Sequence, residues 1–189
     1  MPPVRNVALL VGSLRKASLT RRAAHALMAV APESMLLGIV EIGQLPLYNQ
    51  DAEDDGAPPA PWVTFRDEIK PADGVLFVTP EYNRSVPGVL KNAIDVGSRP
   101  YGHNVWERKP AAILSVSPGA IGGFGANHHL RQSLVFLNMP ILQQPEAYIG
   151  GAANLFADDG SITNEATEEF FRIFMERFAA WIEVNLAAR

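Results

Sequence analysis

Apolar positions along the chain fall in short, nearly unbroken runs separated by stretches of mixed pattern. Val7–Val11 reads V-A-L-L-V and stops at Gly12, and Gly74–Val78 and Ala111–Val116 read the same way. Runs of this length without polar alternation fit strands covered on both faces, as in a parallel sheet between helices. A more mixed strand pattern spans Met35–Ile42, and a short one lies at Ala147–Ile149. Helical periodicity fills the gaps. Ser18 is placed to cap a helix reaching about Ala31, with Ala23, Leu27 and Val30 on one face and Pro32 as the stop. A second helix is predicted from Pro61 to about Lys70, ended by Pro71. Pro87 opens a third, with Val89, Leu90, Ala93 and Ile94 turned inward. A fourth is expected over roughly Asn127–Leu137. In the last, Phe171, Phe174, Phe178, Trp181 and Ile182 follow the spacing of one buried helix face.

Strand and helix therefore alternate about five times, the pattern of an α/β domain with right-handed crossovers and helices on both faces of the sheet. No break in composition divides residues 1–189, so one domain is expected. Gln44–Pro61, rich in Pro, Asp and Gly, reads as a long loop within the fold, and loops of that length are usually functional or mobile.

Composition narrows the function. Of 189 residues, 48% are hydrophobic and 19% charged, the balance of a globular chain. A net charge of -4 without a basic run argues against nucleic acid as a partner. Cysteine is absent, which excludes disulfides, thiolate metal sites and a cysteine nucleophile. No apolar run approaches the roughly 20 residues that cross a bilayer. The start, Met1-Pro2-Pro3-Val4-Arg5, lacks the form of a signal peptide, so no membrane association and a cytoplasmic location are expected.

Ligands of open parallel sheets bind beyond the C-terminal strand ends. Three unusual loops leave those ends. The first, Gly12–Thr20, joins a tight turn to hydroxyls at Ser13, Ser18 and Thr20, a helix start, and the cationic fork of Arg15. That set suits a terminal phosphate, although the stretch is neither a Walker loop nor the G-x-G-x-x-G fingerprint. Without a ligand it reads as a capped helix with surface Arg and Lys. The second, Pro80–Gly88, offers the flat face of Tyr82 and the polar groups of Asn83 to a ring with imide edges, or is simply a Pro- and Asn-rich turn. The third, Ser117–Gly125, carries four glycines that let backbone approach a flat ligand closely.

At these loops the sequence resembles the NADPH-dependent FMN reductase family, which includes quinone, chromate and azo-dye reductases. The resemblance is carried by G-S-L-R-K-A-S at Gly12–Ser18, L-P-L-Y-N-Q-D at Leu45–Asp51, P-E-Y-N-R-S-V-P-G-V-L-K-N-A-I-D at Pro80–Asp95, and S-P-G-A-I-G-G at Ser117–Gly123. It runs from about Val7 to the final helix. It implies a flavodoxin-like three-layer sandwich with a five-stranded parallel sheet in the order 2-1-3-4-5. It also implies FMN as cofactor, NADPH or NADH as electron donor, a small-molecule acceptor, and a homodimer or homotetramer. Carried over by position, it assigns the FMN phosphate to Ser13, Arg15, Ser18 and Thr20, the last often Asn in the family, and counts Leu19 among the cofactor-binding residues. Pro80, Glu81, Tyr82, Asn83 and Ser85 are assigned to the ribityl chain and ring, and Ser117 and Gly119 to its closure. Val96 stands where the family often has Trp, a change expected to bear on a subunit contact. The implied chemistry is ping-pong electron transfer with no dedicated acid or base on the protein. A flavodoxin-type electron carrier and a flavin-binding protein without turnover remain alternatives. A hydrolase using Ser13 or Ser117 lacks the G-x-S-x-G elbow and a convincing triad order.

Other residues have plainer readings. His128 and His129 lack a carboxylate at helical ligand spacing, so a partly exposed helix start or an interface fits better than metal. His103 and Trp106 share a loop with Tyr101, where a subunit contact or pocket rim is expected as readily as direct substrate binding. Lys91 and Asp95 are expected as a solvated ion pair, and Asp51–Asp55 as a solvated loop.

Overall fold

A computed structural model describes residues 3–157 and 160–188. Five strands, β1 (Arg5–Val11), β2 (Met35–Ile39), β3 (Gly74–Thr79), β4 (Ala111–Val116) and β5 (Ala147–Ile149), form one parallel sheet in the order β2-β1-β3-β4-β5. This is the expected order and fold. The connecting helices are α1 (Leu19–Ala29), α2 (Gln50–Asp54), α3 (Ala60–Ile69), α4 (Gly88–Gly97) and α5 (Phe124–Phe136), and α6 (Glu165–Ala187) closes the chain.

The unbroken apolar runs divide by strand period between two cores. Val7, Leu9 and Val11 of β1, with Leu76 and Val78 of β3, pack under α1 and α6. Ala8, Leu10, Val75 and Phe77 point to the other face, under α3, α4 and α5. A half-solvated sheet would have polar residues at one of those sets. Phe171, Phe174, Phe178 and Ile182 of α6 are buried as the periodicity predicts. Trp181 is only partly buried, and its indole Nε1 donates to Pro140 O at 2.9 Å.

Several boundaries move, each for a local reason. β2 ends at Ile39 rather than Ile42, because Ile42 leaves the sheet and packs in the α3–α4 core. Inside the long loop, Asn49 accepts from Asp51 N and starts the short α2. Asp51–Asp55 is therefore not simply a solvated loop. Glu53 of α2 turns inward and ion-pairs with Arg66, both side chains under a tenth exposed. Asp51, Asp54 and Asp55 stay exposed. The fourth long helix starts at Phe124, one turn before Asn127, because left-handed Gly122 and Gly123 end the preceding loop there.

Trp106 is not at a rim or subunit contact. It is fully buried against Phe65 and Phe77, and its Nε1 donates to Ile94 O at 2.9 Å. The missing side chain at Gly97 makes room, since a Cβ there would lie 2.5 Å from the indole. Val96 is likewise fully buried. Tyr101 and His103 are exposed, and Lys91 and Asp95 pair on the surface of α4 as expected. Among the described residues no helix is long and apolar enough to cross a membrane.

Candidate functional site

Strand register brings the three loops to one edge. Val11 pairs with Val78, and Thr79 with Ser115, so the residues that follow β1, β3 and β4 emerge side by side. Gly12 N donates to Val78 O at 2.9 Å, and a Cβ on Gly12 would meet Pro80 Cδ at 3.1 Å. The first two loops touch only because position 12 has no side chain. The second and third meet at Gly123, where a Cβ would be 3.7 Å from Glu81 Cβ.

In the first loop Ser13, Ser18 and Thr20 are buried among backbone while Arg15 and Lys16 are exposed. Ser18 caps α1 by accepting from Arg21 N at 3.1 Å, which leaves its own O–H free to donate. Leu19, the first helical residue, is half-buried against the α1 core. Among the described residues, the hydroxyls of Ser13 and Thr20 and the amides of Leu14, Arg15, Lys16, Leu19 and Thr20 have no acceptor. Arg15, Lys16 and Arg22 have no carboxylate partner there either. Arg21 is different, because Glu41 holds both its terminal nitrogens at 2.8 Å. A helix start with open amides, three hydroxyls and uncompensated cations is chemically a seat for a phosphate dianion.

The second loop is a tight hairpin. Tyr82 and Ser85 exchange backbone hydrogen bonds of 3.0 Å, with Asn83 and Arg84 left-handed at φ 50° and 64°. That turn leaves Tyr82 46% exposed. Ser85 Oγ lies 3.0 Å from His129 Nδ1, and Pro80 is half-buried behind the hairpin. The Glu81 side chain is engaged within the protein. Its carboxylate accepts from Ala126 N at 3.0 Å and pairs with Arg84 at 3.1 Å, turned toward α5.

In the third loop Ser117 Oγ accepts from Gly119 N at 3.1 Å, and Gly119 is exposed. Gly122, at φ +66°, lies so close to β5 that a Cβ would sit 2.6 Å from Tyr148 C. Ser115 Oγ donates to Gly122 O at 2.7 Å and fixes that approach. Phe124 and His128 stack beside Tyr148, whose hydroxyl is 2.9 Å from His128 Nε2. Burial, and then the hydrogen bond and charge of Glu146, push the Tyr148 phenol up to about 12. Position 129 was legible only as a partly exposed helix residue. Its link to Ser85 depends on α5 starting a turn early, which the glycines could have signalled.

The residues present fit FMN. The first loop has the donors and charge for a phosphate, and the neighbouring loops at the same strand ends offer an exposed Tyr82 and glycine backbone to a flat ring. Fold and site together define a flavodoxin-like α/β protein. The chain belongs to the NADPH-dependent FMN reductase family, whose model matches residues 5–154. It is 63% identical over 187 residues to a quinone reductase of Pseudomonas putida, covering 99% of this chain and 100% of the relative. It is 46% identical to a 2-hydroxy-1,4-benzoquinone reductase of a Burkholderia species, covering 93% and 95% of the two chains. The structure of FerB, a flavoenzyme NAD(P)H:(acceptor) oxidoreductase from Paracoccus denitrificans, superposes with a TM-score of 0.90 at 43% identity, covering 96% of this chain and 99% of FerB.

Proposed function

We propose that this protein is an FMN-dependent NAD(P)H oxidoreductase. It transfers electrons by a ping-pong mechanism to small acceptors such as quinones, azo compounds, chromate or free flavin. The observation that carries this reading is the unpartnered donor set of Ser13, Arg15, Lys16, Leu19 and Thr20 beside the exposed Tyr82. Bound FMN supplies the two-electron chemistry between NADPH or NADH and the acceptor. Ser13, Arg15, Ser18 and Thr20 hold the phosphate, with Leu19 supplying backbone. Pro80, Glu81 through its backbone, Tyr82, Asn83 and Ser85 line the ribityl chain and ring, and Ser117 and Gly119 close over the ring. Backbone N–H groups of these loops favour negative charge on the ring. No side chain is assigned as acid or base. Leu14, Tyr82, Ile121 and Phe124 leave apolar surface exposed on the same loops, suited to a flat aromatic acceptor. The chain acts as one domain in the cytoplasm, as a homodimer or homotetramer.

The test is an absorption spectrum after FMN addition and desalting, followed by anaerobic NADPH and then a quinone. Retained yellow colour, bleached by NADPH and restored by quinone, is expected, with parallel double-reciprocal plots for ping-pong order. Retained colour without bleaching would point to an electron carrier. Loss of flavin on desalting overturns the phosphate assignment.

A further inference from the structure

We propose that Glu81 is a positioning residue that ties the second loop to the start of α5 and so fixes the slot for the ring. The proposal rests on the flavin reading above. The amide of Ala126 is the third in α5, one of the orphan donors that every helix start presents. The residue that should satisfy it, the N-cap, is Gly123, which has no side chain. Glu81, 45 residues earlier, takes that role with Oε2 at 3.0 Å. A carboxylate here also meets the positive end of the helix dipole. Its other oxygen accepts from Arg84 at 3.1 Å, and the Glu81 side chain is only 11% exposed.

The tie needs Gly125. A Cβ at that position would stand 2.9 Å from Glu81 Oε2 and 2.9 Å from Arg84 O, so any larger residue would push the hairpin off the helix. The hairpin itself is closed by the paired Tyr82–Ser85 bonds of 3.0 Å. Its polar contacts to α5 are Glu81 to Ala126 and Ser85 to His129. Loops two and three meet at Gly123, where a Cβ would be 3.7 Å from Glu81 Cβ. The Glu81 bond therefore sets the distance between them, although both carboxylate oxygens are already engaged within the protein.

The tie and its consequence are tested separately in Glu81→Ala, Glu81→Gln and Gly125→Ala. Amide exchange at Ala126, measured without flavin, reads the tie directly. Glu81→Ala and Gly125→Ala are expected to speed it, and Glu81→Gln, which keeps an acceptor oxygen, to leave it near wild type. FMN titration and the visible circular dichroism of bound flavin read the consequence. Affinity is expected to fall roughly tenfold or more in Glu81→Ala and Gly125→Ala, with altered dichroism, and to recover in Glu81→Gln. Unchanged Ala126 exchange in Glu81→Ala overturns the tie. Unchanged flavin affinity and dichroism despite faster exchange overturn its role in the slot. If Glu81→Gln binds flavin as weakly as Glu81→Ala, the charge acts on the ring itself and the proposal fails. If wild type binds no FMN, the flavin reading fails and the role in the slot falls with it, while the exchange arm still decides the tie.

Discussion

The first loop and the two that face it are built on opposite rules. In Gly12–Thr20, among the described residues, the amides of Leu14, Arg15, Lys16, Leu19 and Thr20 and the hydroxyls of Ser13 and Thr20 have no acceptor in the protein, and the exposed Arg15 and Lys16 face no carboxylate. In Pro80–Ser85 and Ser117–Gly123 the side chains of Glu81, Arg84, Ser85 and Ser117 are engaged within the protein, and Ser115 of β4 holds the third loop. Glu81 takes Ala126 N, Ser115 takes Gly122 O, and Ser117 takes Gly119 N. The difference follows from what each must bind. A phosphate brings its own acceptors and charge, so its seat is best left open. A flat ring offers mostly faces, so its walls must stand before it arrives. One region is completed by a ligand, and the other is complete without one.

The largest expected effect breaks the finished region. Gly122→Ala places a Cβ against Tyr148 backbone at a left-handed φ. Strain and overpacking together should cost about 3 kcal/mol. Chemical denaturation of the flavin-free protein should show that loss, with FMN retention lost as a result. Arg15→Ala should do the reverse. Removing a cation that no carboxylate faces should leave flavin-free stability unchanged while FMN affinity falls roughly thirtyfold, the size of a charged hydrogen bond. If Arg15→Ala destabilised the flavin-free protein as Gly122→Ala does, the first loop would be framework and the contrast would collapse.

How far the sequence reveals each region follows from the same contrast. The first loop is legible because its chemistry lies in closely spaced side chains of one segment, Ser13, Arg15, Ser18 and Thr20. The strands were legible too, because strands buried on both faces leave unbroken apolar runs, whereas their order came with the family resemblance. The resemblance assigns Glu81 to the ribityl chain and ring, and its carboxylate also holds a backbone amide 45 positions away, a contact that no local pattern encodes. Trp106 was read as rim for a similar reason. Only Gly97, Phe65 and Phe77, distant in sequence, reveal that it is core.

An open phosphate seat should also respond to the ligand's own charge. A phosphate monoester loses its second proton near pH 6, so a seat of cations and amides prefers the dianion. FMN affinity should drop about tenfold between pH 7 and pH 5, by linkage to that proton. Apoprotein stability over the same range provides the control. A flat affinity profile would mean that ring contacts dominate binding.

The smallest effect concerns the one cation in the first turn of α1 that does not join the seat. Glu41 holds Arg21 in a paired hydrogen bond, and that bond, with the guanidinium charge, keeps the Glu41 carboxyl below its ordinary range against the opposing effect of burial. A carboxyl lowered in the folded state stabilises fully above its unfolded value, near about 4.3, and loses that contribution as pH falls through the lower folded value. Glu41→Gln should therefore cost about 0.5 kcal/mol at pH 7, the scale of a solvent-screened pair, and the gap from wild type should close in acid. The same substitution frees Arg21 beside the open amides of α1, so FMN should bind slightly tighter, about twofold. Weaker binding in Glu41→Gln would place Arg21 and Glu41 in the framework and move the boundary between the two regions into the first turn of α1.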